Sequence, residues 1–267
     1  MSTEAEKDWR AWHAERERTV SGPTGPLALT GTYWLADQPG GRIEGVPGQW
    51  TEDGDAVLLT AGAEDGLLVD GVPLDGEARL GADGGPETAR VTHGDRRLVV
   101  LRREDLWAVR VFDPHSEALR AFTGIDAFPY DARWRLTGRF RPYEQGRTVQ
   151  VPNADGRERG LGLAGELAFT VDGEEHTLQA AVEADGSLWA VLADATSGTE
   201  SYRFRFLRPP APAADGTVTV DLNRTLLPPC AFADHFICPF PPPGNTLPFA
   251  LRAGERQLSG EPQLSGG

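Results

Sequence analysis

Short apolar segments separated by Asp-Gly pairs run through most of the chain and limit the secondary structure that it can form. The segment Leu67–Val69 is followed by Asp70-Gly71, and Leu106–Phe112 is a second segment of this kind. Such segments are shorter than a typical helix, and Asp-Gly favours the tight turn of a β-hairpin. The pattern therefore predicts a β domain over residues 23–112.

The same pattern returns in the second half of the chain. Asp172-Gly173 and Asp185-Gly186 separate further apolar segments there. Asp and Gly stabilise turns because Asp bonds its own backbone and Gly accepts a positive φ. We therefore predict a second β domain over residues 133–258, and an all-β fold made of two packed β-sheet or barrel-like halves.

Three other segments complete the predicted organisation. Residues 1–22 are rich in charge and place Trp9 and Trp12 three positions apart, on one face of a predicted N-terminal α-helix. Residues 113–132 form a predicted connector between the two β domains. Residues 259–267 are small and polar, and we predict a disordered tail there.

Composition limits the class of protein and its partners. The 267 residues are 39% hydrophobic and 25% charged, as expected for a globular protein, and the net charge is −14. The negative charge disfavours nucleic acid and anionic membrane surfaces, because both are bound through Lys and Arg. No apolar run approaches the ~20 residues of a transmembrane helix, and the charged N-terminus is not typical of a signal peptide. We therefore expect a cytoplasmic protein.

Residues 221–255, with the sequence DLNRTLLPPCAFADHFICPFPPPGNTLPFALRAGE, combine reactive side chains with rigid backbone. We call this segment the Pro-rich loop. It carries both cysteines of the chain, many of its prolines, and the aromatic residues Phe232, Phe236, Phe240 and Phe249. So much apolar surface is costly to leave in water, so we expect the loop to fold back across a sheet.

Cys230, His235 and Cys238 lie close together in the Pro-rich loop. A structural zinc site usually has four N or S ligands with closely spaced cysteines, so we predict no metal and no other cofactor. A nucleophilic Cys230 with His235 as its partner would form a catalytic pair. Alternatively, both cysteines are small apolar side chains that pack the loop. Whether Cys230 and Cys238 are bonded to each other stays open.

Candidate ligand-binding residues begin with Asn223 and Arg224, which follow a predicted strand. An amide and a guanidinium side by side are suited to grip a carboxylate or a phosphate at the rim of a pocket. Alternatively, Asn223 satisfies backbone groups of the loop and Arg224 forms a salt bridge, because prolines remove backbone donors. Asn245, Arg120 and Trp34 complete the predicted ligand-binding set.

Three sequence patches resemble one protein family. They are PLALTGTYWL at 26–35, RAFTG at 120–124 with Phe128-Pro129 after it, and the Pro-rich loop with DLNR at 221–224, PPCAF at 228–232 and RAGE at 252–255. They resemble the motifs of domain of unknown function family 1684, an uncharacterised prokaryotic family. The resemblance implies no activity, and it assigns no role to any residue.

Two functions fit these observations. The first is a cytosolic protein that binds a small anionic molecule in a pocket between the C-terminal β domain and the Pro-rich loop. The sequence leaves open whether that protein is an enzyme that also transforms the molecule. The alternative is a non-catalytic β-rich module that binds a protein or a peptide through a sheet edge. An enzyme needs a concave site where titratable groups converge, whereas an interaction module needs an exposed edge or apolar patch.

Overall fold

The computed structural model describes residues 3–82 and 90–260 and consists mainly of antiparallel β-strands. The predicted all-β class is therefore confirmed. The chain divides into two compact units. We call Thr19–Ala121 the N-terminal unit, and the first 18 residues together with Phe122–Gly267 the C-terminal unit.

The predicted domain ranges can be placed on these two units. Residues 23–112 fall within the N-terminal unit, and residues 133–258 fall within the C-terminal unit. Of the predicted tail, residues 261–267 lie outside the part of the chain that the structure describes.

The N-terminal unit contains two antiparallel sheets. Its elements are β1 (Leu29–Trp34), β2 (Gln49–Asp53), β3 (Ala56–Ala61), β4 (Leu67–Val69), β5 (Val72–Pro73), β6 (Gly76–Leu80), β7 (Val91–His93), β8 (Arg96–Arg103), β9 (Leu106–Phe112) and α2 (Glu117–Ala121). The strand orders are β1-β9-β8-β7-β4-β5 and β2-β3-β6. One apolar core, which includes Trp50, Leu59 and Val109, has members from both sheets.

The C-terminal unit is built on a six-stranded antiparallel sheet. The strands of this unit are β10 (Ile125–Ala127), β11 (Arg135–Pro152), β12 (Glu158–Val171), β13 (Glu174–Val182), β14 (Leu188–Leu192), β15 (Arg205–Leu207), β16 (Thr217–Asp221) and β17 (Glu255–Leu258). The order of the large sheet is β15-β14-β13-β12-β11-β16, so β15 and β16 are its edges, while β10 pairs with β17. Leu167, Leu178 and Val220 are fully buried in its core.

The predicted N-terminal helix is confirmed as α1 (Glu4–Val20). Thr3 caps it, because its Oγ1 accepts a hydrogen bond of 3.2 Å from the backbone N–H of Glu6. Trp9 is half-buried and donates its indole N–H to the backbone oxygen of Asn223 at 2.7 Å, so this face of α1 packs on the Pro-rich loop. No helix in the described part of the chain is long and apolar enough to cross a membrane.

The Pro-rich loop lies along the ends of β11 and β14. Phe240 donates its backbone N–H to the oxygen of Pro152 at 2.9 Å, where β11 ends. Leu247 donates to the oxygen of Ala193 at 2.9 Å, directly after β14. Leu247 and Leu251 are buried in the main core of the unit. These contacts hold the loop against the sheet although it has little regular secondary structure of its own.

A glycine closes the Pro-rich loop. Gly254 has φ +76°, and a Cβ atom there would stand 2.3 Å from the backbone oxygen of Thr225. Glu255 donates its backbone N–H to the same oxygen at 2.8 Å. A side chain at position 254 would therefore break the contact that joins the two ends of the loop.

Candidate functional site

A cavity of about 350 Å³ lies in the C-terminal unit, and residues from both edge strands of the large sheet line it. Three arginines, Arg135, Arg208 and Arg224, contribute to its wall. We call this cavity the arginine pocket. The rest of its lining consists of three polar residues, Ser187, Thr219 and Asp221, and three apolar ones, Leu207, Pro209 and Pro210.

The strand pairing brings the arginines together. Arg135 begins β11 and stands opposite Asp221, the last residue of β16. The chain then turns, because Asp221 accepts the backbone N–H of Asn223 at 3.1 Å, and Arg224 follows at the end of this turn. Arg208 comes directly after the other edge strand, β15. The pocket therefore forms where the Pro-rich loop starts, beside the large sheet.

The arginines of the pocket have weak partners. Arg224 Nε lies 3.7 Å from Asp221 Oδ2, and Arg208 Nη1 lies 3.4 Å from Glu183 Oε2. The side chain of Arg135 forms no ion pair or hydrogen bond with a residue that the structure describes. Exposed ion pairs of this kind contribute about 0–1 kcal/mol, so they compete little with a bound anion.

The two asparagines of the predicted ligand-binding set each clamp a backbone segment. Asn223 accepts the N–H of Asp131 at 3.1 Å and donates to the oxygen of the same residue at 3.0 Å. Asn245 accepts the N–H of Gln179 at 2.8 Å and donates to the oxygens of Gln179 and Val191 at 2.9 and 2.8 Å. Both asparagines are buried, and both N–H groups of each amide are occupied, since Asn223 also donates to the Asp221 side chain.

Arg120 and Trp34 lie in the other unit. Arg120 is exposed on α2, and Trp34 is the half-buried last residue of β1. The arginine pocket is formed wholly by residues of the C-terminal unit. Of the five predicted ligand-binding residues, Arg224 therefore lines the pocket and the other four do not.

Both cysteines are free thiols in one buried cluster. Cys238 Sγ accepts the backbone N–H of Cys230 at 3.3 Å. The hydroxyl of Tyr202 donates to the backbone oxygen of Cys230 at 3.2 Å and lies 3.8 Å from its Sγ. A hydrogen bond with Cys238 lowers the pKa of Cys230 to about 7, burial opposes this shift, and Tyr202 and Arg203 support it.

His235 differs in environment from the cysteine that it was predicted to activate. Its side chain is exposed, whereas Cys230 is only 5% exposed. The polar groups around the thiol of Cys230 come from Cys238, Tyr202 and Arg203. In the described part of the chain, no three or more His, Cys, Asp and Glu side chains form a group that could hold a metal ion.

A buried ion pair was not predicted from the sequence. Arg205 and Asp194 are fully buried and 2.8 Å apart, and Arg205 also donates to the backbone oxygens of Leu251, Ala253 and Glu255. Burial lowers the pKa of Arg205, and Asp194 opposes that shift. The pair therefore holds the C-terminal end of the Pro-rich loop through its backbone oxygens.

Sequence reasoning also missed Arg135 and Arg208 as pocket residues. Arginines are frequent throughout this chain, and neither of the two belongs to a motif. The one available signal is that Arg135 and Arg208 stand at the ends of strands, Arg135 at the start of β11 and Arg208 directly after β15. That signal is shared by many arginines of this chain.

A family model matches the part of the chain that forms the arginine pocket. The family model described as "Protein of unknown function (DUF1684)" matches residues 120–256, just over half of the chain. This range includes every residue of the arginine pocket, both cysteines and both clamping asparagines.

The chain is also similar to a solved structure. An uncharacterized protein of Haloarcula marismortui, determined by solution NMR, is 31% identical in a match that covers 53% of this chain and 80% of that chain, with a TM-score of 0.44. None of the curated proteins matches.

Proposed function

The chain belongs to the DUF1684 family of proteins of unknown function, and we propose that it binds a small anionic molecule in the arginine pocket. The observation that carries the proposal is the convergence of Arg135, Arg208 and Arg224 on one cavity. The chain as a whole has 40 acidic and 26 basic residues. Three arginines with a single carboxylate in the lining are therefore a local reversal of the overall charge.

The chemistry of the lining favours a carboxylate or a phosphate group. A guanidinium offers a planar set of N–H donors that matches two oxygens of either group. Thr219 adds a hydroxyl, and the apolar side chains of Leu207 and Pro209 limit the water around the charges. A cavity of about 350 Å³ is near the lower end of the size range for small-molecule sites, so the ligand is a small molecule.

The proposal concerns binding and assigns no reaction. Cys230 and His235, which were predicted as a catalytic pair, are not part of the pocket lining. The alternative function, a module that binds a protein or a peptide through a sheet edge, would be favoured by an exposed strand edge or an extended apolar patch. Val72 and Val182 are the large hydrophobic side chains exposed within the described ranges, and each is the one such side chain of its own unit there.

Calorimetric titration of the full chain tests the proposal. The probes are inorganic phosphate, pyrophosphate and succinate, which represent the two kinds of anion. We expect at least one probe to saturate at a single site, with affinity that falls as salt is added. The proposal is wrong if none of the three probes binds saturably at low salt.

Variants of the pocket make the test specific. Arg135→Gln and Arg224→Gln each remove a charged donor worth about 1.5–3 kcal/mol, so the Kd should rise roughly tenfold to a hundredfold. Arg139→Gln is the matched control, since Arg139 is an exposed arginine of the same strand β11 and lies outside the pocket. An equal loss in all three variants would mean that the probe responds to net charge and not to the pocket.

A further inference from the structure

A second feature of the C-terminal unit is independent of the arginine pocket. The two cysteines of the chain, Cys230 and Cys238, lie together in an apolar cluster with Phe204 and Phe206. We propose that Cys230 and Cys238 form a thiol pair that a small hydroperoxide oxidises to an intramolecular disulfide. The site is a modification site within the Pro-rich loop.

The position of the sulfur of Cys238 is the first support for the pair. It lies 3.3 Å from the backbone nitrogen of Cys230. A backbone N–Cα bond is about 1.5 Å long, so this sulfur is within about 5 Å of the Cα of Cys230. Rotation of the Cys230 side chain about its Cα–Cβ bond can then bring its sulfur towards the sulfur of Cys238.

The groups around Cys230 identify it as the thiol that reacts first. The Tyr202 hydroxyl is 3.8 Å from its sulfur, and the Cys238 thiol and Arg203 are further groups that interact with it. Donors and positive charge favour the thiolate, which is the nucleophilic form of cysteine. The lowered pKa of Cys230, at about 7, agrees with a substantial fraction of thiolate at neutral pH.

The burial of the two cysteines limits the size of the oxidant that can reach them. Both cysteines are 5% exposed, so a protein thiol or disulfide cannot reach them. Arg203 is exposed, and its guanidinium lies 4.6 Å over the ring of Phe240, which is half-buried. A small hydroperoxide can enter when this exposed arginine moves aside.

The chemical steps balance without any other reactant. The thiolate of Cys230 attacks the terminal oxygen of the hydroperoxide, an S–O bond forms, the O–O bond breaks, and the alkoxide or hydroxide takes up a proton and leaves as an alcohol or water. Cys230 is then a sulfenic acid. The sulfur of Cys238 attacks the sulfur of Cys230, an S–S bond forms, and the hydroxyl of the sulfenic acid leaves as water with the proton of Cys238. The two sulfurs lose two electrons, which the peroxide accepts.

Mass spectrometry of the reduced full chain tests the proposal. The chain is treated with hydrogen peroxide, the remaining thiols are alkylated, and the peptides are mapped without reductant. We expect one cross-link between Cys230 and Cys238, with the loss of two hydrogen atoms, and its reversal by dithiothreitol. The proposal is overturned if both thiols stay reduced until denaturant is added, or if oxidation joins separate chains instead.

Single-cysteine variants test which thiol reacts first. In Cys238→Ser, the sulfenic acid of Cys230 cannot be resolved, so dimedone should trap it at Cys230. In Cys230→Ser, Cys238 should stay reduced at the same peroxide dose. A sulfenic acid trapped at Cys238 in the second variant, with none trapped at Cys230 in the first, would reverse the assignment and overturn it.

A variant that keeps both cysteines tests the proposal even if the cysteine variants misfold. Arg203→Gln removes a positive charge near Cys230, so the oxidation rate should fall severalfold at neutral pH and recover at higher pH. Arg139→Gln, an exposed arginine on β11, should leave the pH profile of oxidation unchanged. A profile that is the same in wild type and Arg203→Gln would contradict the role that Arg203 has here in activating the thiol of Cys230.

Discussion

Asn223 and Asn245 each hold a backbone segment through one side-chain amide. The partner of Asn223 is Asp131, 92 positions earlier, and Asn245 reaches Gln179 across 66 positions. An amide in a loop can bond a ligand or a backbone equally well, so local sequence supports both interpretations of Asn223. Only the fold shows that these amides are occupied by the protein, and this is why residue roles were harder to predict than strands.

The clamp by Asn245 should contribute strongly to stability. Asn245→Ala leaves the N–H and oxygen of Gln179 and the oxygen of Val191 without their side-chain partner in a buried place. Unsatisfied buried groups cost about 1–3 kcal/mol each, so the free energy of unfolding in urea should fall by about 2–4 kcal/mol.

A neighbouring amide provides the control for this prediction. The side chain of Gln179 donates to the oxygen of Pro243 at 2.6 Å in an exposed place. Gln179→Ala should therefore change the free energy of unfolding by less than about 1 kcal/mol. If Asn245→Ala costs no more than Gln179→Ala, the clamp has no special role in the fold.

Strand β11 is longer than the segment whose local sequence pattern predicts it. Apolar and polar residues alternate over 133–142, which predicts a strand there, and β11 begins at Arg135 and continues to Pro152. The extension is mostly exposed and polar, and the register of β11 with β12 shifts between Pro142 and Arg147. Residues 144–147 carry no apolar side chain that would predict a strand, whereas Val149 and Val151 further along the extension belong to an apolar cluster.

Helix α1 is joined to the Pro-rich loop through a buried carboxylate. Glu255, at the start of β17, is fully buried; its Oε1 lies 3.3 Å from Arg16 Nε on α1, and its Oε2 accepts the backbone N–H of Leu227 at 2.6 Å. Burial raises the pKa of Glu255, and Arg16 opposes the shift while Glu17 adds to it. Arg205, from β15, is a further charge near this carboxylate.

This raised pKa predicts a pH dependence of stability. Since the folded state holds the proton of Glu255 more tightly than the unfolded state does, this group lowers the free energy of unfolding as the pH rises above the unfolded pKa of about 4.3. Urea unfolding at about pH 5 and about pH 7 should therefore show a smaller decline with pH in Glu255→Gln than in wild type. Equal declines in the two proteins would contradict the prediction.

For the whole molecule, the fold class was predictable and the arginine pocket was not. Turn pairs such as Asp172-Gly173 act locally, so they predict an all-β chain without knowledge of which strands pair. Arg135 and Arg224 come together because β16 pairs with β11, and Arg208 joins them because residues at the other edge of the sheet, β15, line the same cavity. The pocket is a property of strand order, and no short segment of the sequence carries it.

The most direct measurement is an NMR titration of the full chain with its arginine side chains labelled by ¹⁵N. Pyrophosphate is the probe, and the Nε–H signals of individual arginines, assigned by substitution, are followed. The proposal predicts that Arg135, Arg208 and Arg224 shift together and saturate with one dissociation constant, while Arg139 does not shift. If the three signals do not saturate, or if Arg139 follows the same curve, the arginine pocket is not an anion-binding site.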